Sequence, residues 1–443
     1  MTKTVAFYTL GCKVNQYETL RFEDQFRKAG YVVMDPDRGA EIYVVNTCTV
    51  TRLADRKSRQ FMRRVKRQNP SSTLVVMGCY PQTNPEEVAR ITEADLILGN
   101  EEKEKVLERV EAFLREGPPA AICRVPEAGA AAEADPAPHI PIESRTRALV
   151  KIQNGCDRFC SYCVIPYARG PVVSRPMEEI LREAEGLLEA GFRELVLTGI
   201  NTALYGADHG RSSEGVESVV ASISRLKGDF RIRLGSLEPT VVDAAYVKRL
   251  LNYDKLCHHL HLSVQSGSDR ILEAMNRHYT VADYMEIVRV LREADPYYGL
   301  TTDIITGFPG ESEEDFRQSL ELVGQVGYLK VHGFPYSKRP LTRAAEMGGA
   351  IPPHVAKARN RELLEAGESA SRNFLQSLLG QKLRVLPEEV VSDVSGQRYW
   401  RGHADNFVMV YGDCTSGSLP EGGFTEVQAE QLFWDGVLAG KEA

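Results

Sequence analysis

The sequence predicts an α/β protein with three parts: an N-terminal parallel α/β domain, a central partial (β/α) barrel and a small C-terminal β-barrel. Short apolar runs alternate with amphipathic stretches over residues 1–115, which is typical of a parallel sheet covered by helices. Six more apolar runs follow with helical stretches between them, and the last part contains short strands separated by glycine turns. The 443 residues, of which 43% are hydrophobic, suffice for two or three separate cores.

The N-terminal domain, residues 1–115, has predicted strands at TVAFYTL, EIYVVN, STLVVMG and ADLILG. Three of these strands are followed by a cysteine: Cys12, Cys48 and Cys79. Parallel strands end at one edge of their sheet, so we expect the three cysteines to be neighbours in space. A single cysteine in such a place is most often a packed core thiol, but three in equivalent positions indicate a shared site.

Residues 116–145 are rich in proline and alanine and lack apolar periodicity, so they are predicted to be a linker. Cys123 lies within this linker and is expected to be incidental. The small β-barrel is predicted for residues 374–440, after a helix around residues 353–379.

The central barrel, residues 146–373, contains the strand candidates ALVKIQN, ELVLTGI, RIRLGSL, HLHLSVQ, TTDIITG and YLKVHGF. Chemistry in such barrels lies where the strands end. Gly199, Gln265 and Ser266 end strands there and are candidate cofactor contacts, with ordinary strand-end turns as the alternative. Asp303 is a candidate in the same region, with a core-capping role as the alternative.

The loop GCDRFCSYC follows the first of these strands and holds Cys156, Cys160 and Cys163. Structural zinc takes four ligands, so zinc here would have to recruit Cys123 or His139 from the linker. Thiolates also suit iron-sulfur clusters, and a cubane cluster held by three of them keeps one iron open to another ligand. Cys257 and Cys414 have no partner at ligand spacing and are expected to pack in the core.

The net charge of −7 argues against a nucleic-acid binder, but the charge is unevenly distributed. Residues 52–67 carry eight lysines and arginines against one acid, Asp55. This run is predicted to be a phosphate-binding helix, with a solvated helix face as the alternative. The C-terminal part carries ten acids against a few basic residues, which is unfavourable for binding phosphate.

The sequence shows neither a secretory leader nor a run of about 18 apolar residues, so we expect a soluble cytoplasmic protein without a membrane segment. Nine cysteines in so long a chain are too few for a disulfide scaffold. The number of cysteines instead favours metal or redox chemistry at these residues.

The loop GCDRFCSYC, with Tyr162 before its last cysteine, resembles the signature of radical S-adenosylmethionine (SAM) enzymes. Across the whole chain, GCKVNQYET, NTCTV, GCYPQ, CVIPYARG, LTGIN, LSVQSGS, DIITGFPGE and FPYS resemble the methylthiotransferases. The resemblance implies a Rossmann-like N-terminal domain that binds an auxiliary 4Fe-4S cluster through Cys12, Cys48 and Cys79. It also implies a second 4Fe-4S cluster on Cys156, Cys160 and Cys163 that binds SAM, with Tyr162 among the cofactor contacts. The C-terminal barrel would be a TRAM domain that contacts the substrate.

Within this family, GCKVNQYET and SLEP at residues 236–239 resemble the branch that methylthiolates carbon 2 of N6-threonylcarbamoyladenosine, at position 37 of tRNA. The alternatives are the branches that act on isopentenyladenosine in tRNA and on an aspartate of a ribosomal protein. A non-catalytic iron-sulfur RNA-binding regulator is the alternative from a different class. The implied partners are the tRNA anticodon stem-loop, an electron donor of the flavodoxin or ferredoxin type and a sulfur source. One departure from the family pattern is Leu341, where relatives commonly have glycine.

Overall fold

The computed structural model describes residues 3–117, 146–210, 215–414, 417–420 and 423–440. It confirms the predicted α/β fold class, with a parallel N-terminal sheet and a small closed C-terminal barrel. The expected linker, with Cys123 and His139, lies almost wholly outside the described residues. Within the described ranges, no helix is long and apolar enough to cross a membrane.

The N-terminal unit is a five-stranded parallel sheet in the order β2-β1-β3-β4-β5. Its strands are β1 (Thr4–Thr9), β2 (Val32–Met34), β3 (Ile42–Thr47), β4 (Thr73–Gly78) and β5 (Leu96–Leu98). Its helices are α1 (Lys13–Lys28), α2 (Arg52–Gln68), α3 (Cys79–Thr83), α4 (Pro85–Ala89) and α5 (Val106–Glu116). Successive residues of β3 and β4 pack on opposite faces: Val44 and Val75 lie against α1 and α5, and Val45 and Val76 against α2.

The central unit is a partial barrel whose six main strands lie where the sequence predicts them. The strands are β6 (Arg147–Lys151), β7 (Gln153–Asn154), β8 (Val173–Ser174), β9 (Glu194–Thr198), β10 (Arg231–Leu234), β11 (Ser236–Leu237), β12 (His259–Leu262), β13 (Gly299–Thr306) and β14 (Lys330–Pro335). The helices are α6 (Ile165–Arg169), α7 (Met177–Glu189), α8 (Gly215–Ser224), α9 (Ala244–Leu250), α10 (Asp269–Ala274), α11 (Val281–Ala294), α12 (Glu313–Val326) and α13 (Pro353–Ser377). The parallel sheets β10-β9-β6 and β11-β12-β13-β14 are joined by a bridge between Ile232 and Leu256.

The interior of this barrel is polar. Residues such as Val150, Leu197 and Ile232 belong to the core between the strands and the surrounding helices. Because side chains alternate along a strand, the residues between them face the barrel interior. The interior residues include Arg147, Lys151, Glu194, Arg231, Arg233, His259 and His261. A polar interior suits a polar ligand better than a structural core.

The C-terminal unit is a closed barrel in the order β15-β16-β17-β19-β18. Its strands are β15 (Lys382–Ser392), β16 (Arg398–Ala404), β17 (Met409–Asp413), β18 (Thr425–Phe433) and β19 (Gly436–Ala439). Val385, Trp400 and Val410 are among the buried residues that fill it. Among the described residues of this unit, the closed order of strands leaves no strand edge unpaired.

The loop at residues 404–407 docks the C-terminal barrel against the lower end of the central barrel, where the central strands begin. Arg231 donates hydrogen bonds to Asp405 Oδ1 (2.6 Å) and His403 O (2.9 Å). Arg233 donates to Asp405 O (3.1 Å), and both arginines bind the buried Glu194. Each of these guanidinium groups therefore bonds to a carboxylate and to a carbonyl oxygen of the C-terminal barrel, which is how a buried arginine is satisfied.

Gly299, the first residue of β13, allows this close docking, and substituting it tests the interface. A Cβ at Gly299 would lie 2.0 Å from Asn406 O, so Gly299→Ala has to displace the docked loop. We expect the free energy of unfolding to fall by on the order of 1–3 kcal/mol, which is the usual cost of overpacking. The measurement is a lower Tm of the cluster-free protein. The control is Gly324→Ala in α12, where an added Cβ meets nothing within 4 Å. Equal melting temperatures for the two variants would contradict this account of the interface.

Candidate active site

Cys12, Cys48 and Cys79 lie together at the edge of the N-terminal sheet where β1, β3 and β4 end. Cys12 is the residue before α1, Cys48 directly follows β3, and Cys79 begins α3. Gly11 has a φ of +112°, and a Cβ there would lie 2.6 Å from Cys48 Cβ. Glycine at this position therefore lets the Cys12 and Cys48 loops touch.

The second triplet lies in the loop between β7 and α6, which is fixed to other parts of the barrel. Gly155 has a φ of +69°, and a Cβ there would lie 1.7 Å from Pro171 O. Ser161, between Cys160 and Cys163, donates its N–H to Met275 O (3.0 Å) and its hydroxyl to Ala274 O (2.8 Å). These bonds hold the loop on the end of α10.

The thiols of both triplets fit an iron-sulfur cluster chemically. Burial, with neighbouring Cys79 adding to it, raises the pKa of Cys48 to about 12. Burial likewise raises the pKa of Cys156 to about 11 and of Cys163 to about 12. Such thiols lose their protons only when a cationic centre is bound beside them, because a metal ion stabilises the thiolate.

Each triplet supplies three thiols, one fewer than the four ligands that a structural zinc ion takes. No group of three or more His, Cys, Asp or Glu side chains in the described ranges could hold one metal ion. A cubane cluster has four irons, so its ligands surround a larger body, and three cysteines leave one iron for another ligand. The donor set therefore fits 4Fe-4S clusters better than zinc.

Tyr162 belongs to a buried polar cluster at the upper mouth of the barrel, where the strands end. Arg277 donates to Tyr162 Oη (2.8 Å) and to Glu238 Oε1 (2.7 Å), and Asn201 donates to Glu238 Oε2 (2.6 Å). Asn201 Oδ1 and Arg277 Nε are buried without a hydrogen-bond partner among the described residues. Orphaned atoms of this kind are available to a polar ligand such as the amino acid portion of SAM.

Gly199 and Gln265 also lie at this mouth. A Cβ at Gly199 would lie 2.9 Å from Gln153 Oε1, which accepts hydrogen bonds from the N–H groups of Ile200 and Asn201. Gln265 has a φ of +69° and donates its N–H to Asp303 O (2.9 Å). Both residues therefore occupy positions that the backbone constrains tightly.

Ser266 and Asp303 have partners within the protein. Ser266 Oγ accepts the N–H of Ser268 (3.2 Å), as in an ordinary turn. Asp303 accepts hydrogen bonds from His261 (3.1 Å) and Ser263 (3.3 Å). Burial opposes ionisation of Asp303, but the hydrogen bond and charge of His261 hold its pKa below the usual value.

Cys257 and Cys414 lie apart from this mouth. Cys257 is buried, and burial raises its pKa to about 12. Cys414 lies in the core of the C-terminal barrel and donates to Ser418 O (3.1 Å).

Glu18 of the motif GCKVNQYET is a fully buried carboxylate between the N-terminal and central units, a role that the motif alone did not predict. It accepts hydrogen bonds from Arg169 (2.9 Å), Lys103 (2.8 Å) and Lys151 (3.3 Å). Burial opposes its ionisation, but these three cations hold the pKa of Glu18 well below its usual value. A glutamate six residues after Cys12, amid the apolar positions of α1, is a signal that could have marked it as buried.

Residues 168 and 169, just after Cys163, connect the second triplet to the first. Arg169 donates to Asn15 Oδ1, and Asn15 Nδ2 donates to Leu10 O (2.7 Å) and Thr47 O (3.1 Å) in the Cys12 and Cys48 loops. Asn100 donates to Ala168 O and lies 3.6 Å from Cys79 Sγ. One polar bridge, formed by Asn15, Asn100 and Arg169, therefore holds the two cysteine sites in register.

The basic run forms α2, as predicted, but only half of its cations are open. Arg59 binds Glu87 (2.8 Å), and Arg63, Arg64 and Lys66 also form ion pairs. The open group is Arg52, Arg56, Lys57 and Arg67, whose side chains have no ion-pair partner among the described residues. The potential phosphate-binding surface is therefore smaller than the sequence suggested.

A barrel loop at residues 336–343 joins α2 to the Cys48 loop. Arg339 donates to Asp55 Oδ2 (2.6 Å) and to Thr49, so the single acid of the basic run is neutralised. Leu341 in this loop has a φ of +70° and is exposed. A glycine would adopt this conformation more easily.

A cavity of about 810 Å³ lies where the three units meet. Its walls include Lys13 of α1, Leu149 and Val196 of the central barrel, and Phe407 of the C-terminal loop. Burial, with Arg233 and Arg147 nearby, lowers the pKa of Lys13 to about 8. Lys13 is open to the cavity and is mainly charged at neutral pH.

Residues 150–323 match the Radical SAM superfamily, which is the class that the partial barrel and its cysteine loop define. Residues 4–99 match the Uncharacterized protein family UPF0004. The chain belongs to the tRNA methylthiotransferases of the radical SAM superfamily. It is 37% identical to threonylcarbamoyladenosine tRNA methylthiotransferase MtaB of Bacillus subtilis over 92% of this chain and 90% of that protein.

Other relatives support the same family. The MtaB protein of Aquifex aeolicus is 38% identical over 86% of this chain and 92% of its own length. The tRNA-2-methylthio-N(6)-dimethylallyladenosine synthase of Zymomonas mobilis is 34% identical over 86% of this chain and 85% of its own length. The radical SAM methyltransferase TsrM of Kitasatospora setae has a similar fold, with a TM-score of 0.56 over 78% of this chain and 77% of that one, at 15% identity.

Glu18→Gln tests the buried charge cluster, because it leaves three cations without their carboxylate. We expect the free energy of unfolding to fall by on the order of 3–5 kcal/mol, measured as a lower Tm of the cluster-free protein. The control is Glu314→Gln, which removes an exposed pair with Arg317 and should cost less than about 1 kcal/mol. Similar shifts for both variants would show that the cluster contributes little.

The difference in stability between wild type and Glu18→Gln is expected to depend on pH. The folded-state pKa of Glu18 lies below the unfolded value of 4.5, so its stabilisation is complete above that pH. The stabilisation is lost as the pH falls through the folded-state pKa. The difference in Tm between wild type and Glu18→Gln should therefore be constant near neutral pH and shrink in acid.

Proposed function

We propose that this chain is a radical SAM methylthiotransferase that adds a methylthio group to carbon 2 of N6-threonylcarbamoyladenosine at position 37 of tRNA. The observation that carries the proposal is the polar bridge of Asn15, Asn100 and Arg169 between the two cysteine triplets. A reaction that needs two clusters acting on one substrate requires such fixed relative placement. The relatives named MtaB support the choice of substrate.

In this proposal, Cys12, Cys48 and Cys79 hold an auxiliary 4Fe-4S cluster, and Cys156, Cys160 and Cys163 hold the cluster that binds SAM. When bound, the clusters and SAM would supply the radical and the methylthio group, chemistry that belongs to the cofactors. Tyr162, Gly199, Gln265 and Ser266 remain proposed cofactor contacts. The orphaned atoms of Asn201 and Arg277 support adding these two residues.

The protein chain itself would bind and orient the cofactors and the substrate. Glu238 is held by Arg277, Asn201 and Thr240, so it is suited to positioning its neighbours. The C–H bond at carbon 2 of adenine is not acidic, so a poised general base is not required there. Gln153 fixes the ends of two strands by binding the backbone of residues 155, 200 and 201, which keeps the upper mouth rigid.

The proposed partners follow from the surface charge and the chemistry. The open group of α2 would bind phosphates of the tRNA anticodon stem-loop beside the Cys48 loop. The C-terminal barrel would add substrate contacts at the cavity floor, where Phe407 lies. An electron donor of the flavodoxin or ferredoxin type and a sulfur source would complete the reaction, in the cytoplasm.

A second candidate function is methylthiolation of isopentenyladenosine, which the relatives named dimethylallyladenosine synthases favour. Mass spectrometry of tRNA nucleosides from cells with and without the gene separates the two. Loss of the 2-methylthio form of threonylcarbamoyladenosine supports the first function. Loss of the isopentenyl form alone overturns it.

Replacing Cys12, Cys48 and Cys79 by alanine tests the division of labour between the triplets. We expect the triple variant to lose tRNA methylthiolation completely while it still cleaves SAM to 5′-deoxyadenosine under reduction. Liquid chromatography with mass spectrometry quantifies both products. Cys257→Ala, at a buried cysteine outside both triplets, is the control that should retain both activities. Methylthiolated tRNA from the triple variant would contradict the assignment.

Arg56 and Arg67 of the open group test the proposed RNA surface. Reversing both charges to glutamate should weaken tRNA binding on the order of tenfold or more and flatten its salt dependence by about one unit per lost phosphate contact. The control reverses Arg289 and Arg317, exposed residues of α11 and α12, with the same change in net charge. Binding titrations at several salt concentrations give both quantities. Equal effects of the two double variants would place the RNA elsewhere.

A further inference from the structure

Lys13 is a cation without a partner in a cavity where other charges are paired. The remaining charged wall residues bind opposite charges: Arg147 with Glu388, Arg233 with Glu194, Glu389 with Arg401 and Glu23 with Arg27. Lys13 Nζ forms neither a hydrogen bond nor an ion pair with any residue in the described ranges. Lys13 is exposed to this open cavity, and its ammonium group would gain an ion pair from an anion that enters beside it.

The rest of the cavity wall limits what that anion can be. Leu149, Val196 and Phe407 make part of the wall apolar or aromatic, and uncharged polar side chains such as Gln16 line the rest, so the space suits a polar organic group that carries one negative charge. Arg147 and Arg233 already have carboxylate partners, which leaves a single open cation. A single open cation balances the charge of a monovalent carboxylate, but it balances only part of the charge of a phosphate.

The location of Lys13 connects this cavity to the proposed reaction. Lys13 directly follows Cys12 and is the first residue of α1. The backbone of Lys13 therefore adjoins the first cysteine triplet, while its side chain lines the cavity together with Arg147 and Arg233. The cavity extends from there into the central barrel at Leu149 and Val196.

We propose that Lys13 is the specificity-determining residue that binds the carboxylate of the threonylcarbamoyl group. This inference rests on the proposed function. The N6 substituent of threonylcarbamoyladenosine carries one carboxylate, whereas an isopentenyl group is uncharged. An uncharged substituent gives Lys13 no ion-pair partner, so the enzyme would bind it less tightly than the carboxylate.

The test uses the cluster-loaded enzyme and three anticodon stem-loops that differ at one nucleoside. That nucleoside is N6-threonylcarbamoyladenosine, its methyl ester or unmodified adenosine. The wild type should bind the acid about tenfold more tightly than the ester, which corresponds to about 1.4 kcal/mol. Lys13→Met should bind acid and ester equally, with unchanged affinity for the unmodified stem-loop. Lys13→Arg should restore part of the preference, because it restores the charge.

The comparison of acid and ester forms a thermodynamic cycle, since the charge is removed once from the protein and once from the ligand. A merely structural role of Lys13 would weaken binding of all three RNAs alike and would overturn the inference. Iron content and electron paramagnetic resonance spectra establish that Lys13→Met keeps both clusters. Should that variant fail to load, the wild type alone still decides, because equal binding of acid and ester overturns the inference.

The outcomes also separate this inference from the proposed function. A wild type that methylthiolates threonylcarbamoyladenosine but binds acid and ester equally overturns the role of Lys13 alone. A wild type that binds the threonylcarbamoyl stem-loop no better than the unmodified one, and does not modify it, overturns both. A preference for the acid that disappears in Lys13→Met supports both.

Discussion

The placement of the two cysteine sites depends on one buried carboxylate. Glu18 is fully enclosed, and its ionised form is stable only because Arg169, Lys103 and Lys151 surround it. Lys103 comes from the segment after β5, Lys151 from the strand β6, and Arg169 from the helix α6 after the second triplet. A hydrophobic contact would tolerate sliding, but these bonds have fixed distances and directions. Together with the polar bridge of Asn15, Asn100 and Arg169, the ion cluster therefore fixes the relative position of the two units.

Helix α1 brings the parts of the site together. Its first turn follows Cys12 and carries Lys13 into the cavity, Asn15 binds the two neighbouring loops, and Glu18 anchors the helix to the barrel. All of these roles fall on the first two turns of α1, where Asn15 and Glu18 share one face and both bind Arg169. Cofactor, substrate and domain contacts are thus coupled mechanically, because a rotation of α1 would disturb all of them.

The sequence predicted the fold class and the clustering of Cys12, Cys48 and Cys79, because parallel strands end at a common edge whatever their neighbours are. It did not predict the partners of Glu18, which lie up to 151 positions away along the chain. The pairing of Arg59 and Arg63 with acids of neighbouring elements was invisible for the same reason. The three-residue strand β2 was missed because so short a run has no detectable period. The cavity around Lys13 could not be foreseen, since its walls come from three separate units.

The loop at residues 404–407, in the last tenth of the 443-residue chain, closes the lower end of the barrel. During synthesis the chain emerges from its N-terminus, so both cysteine loops and all six main barrel strands are made before this loop exists. Until then the polar interior, including Arg231 and Arg233, is open to water from below. Closure of the catalytic chamber is therefore a late event in biogenesis, and a ribosome that stalls before residue 404 leaves a barrel with an open floor.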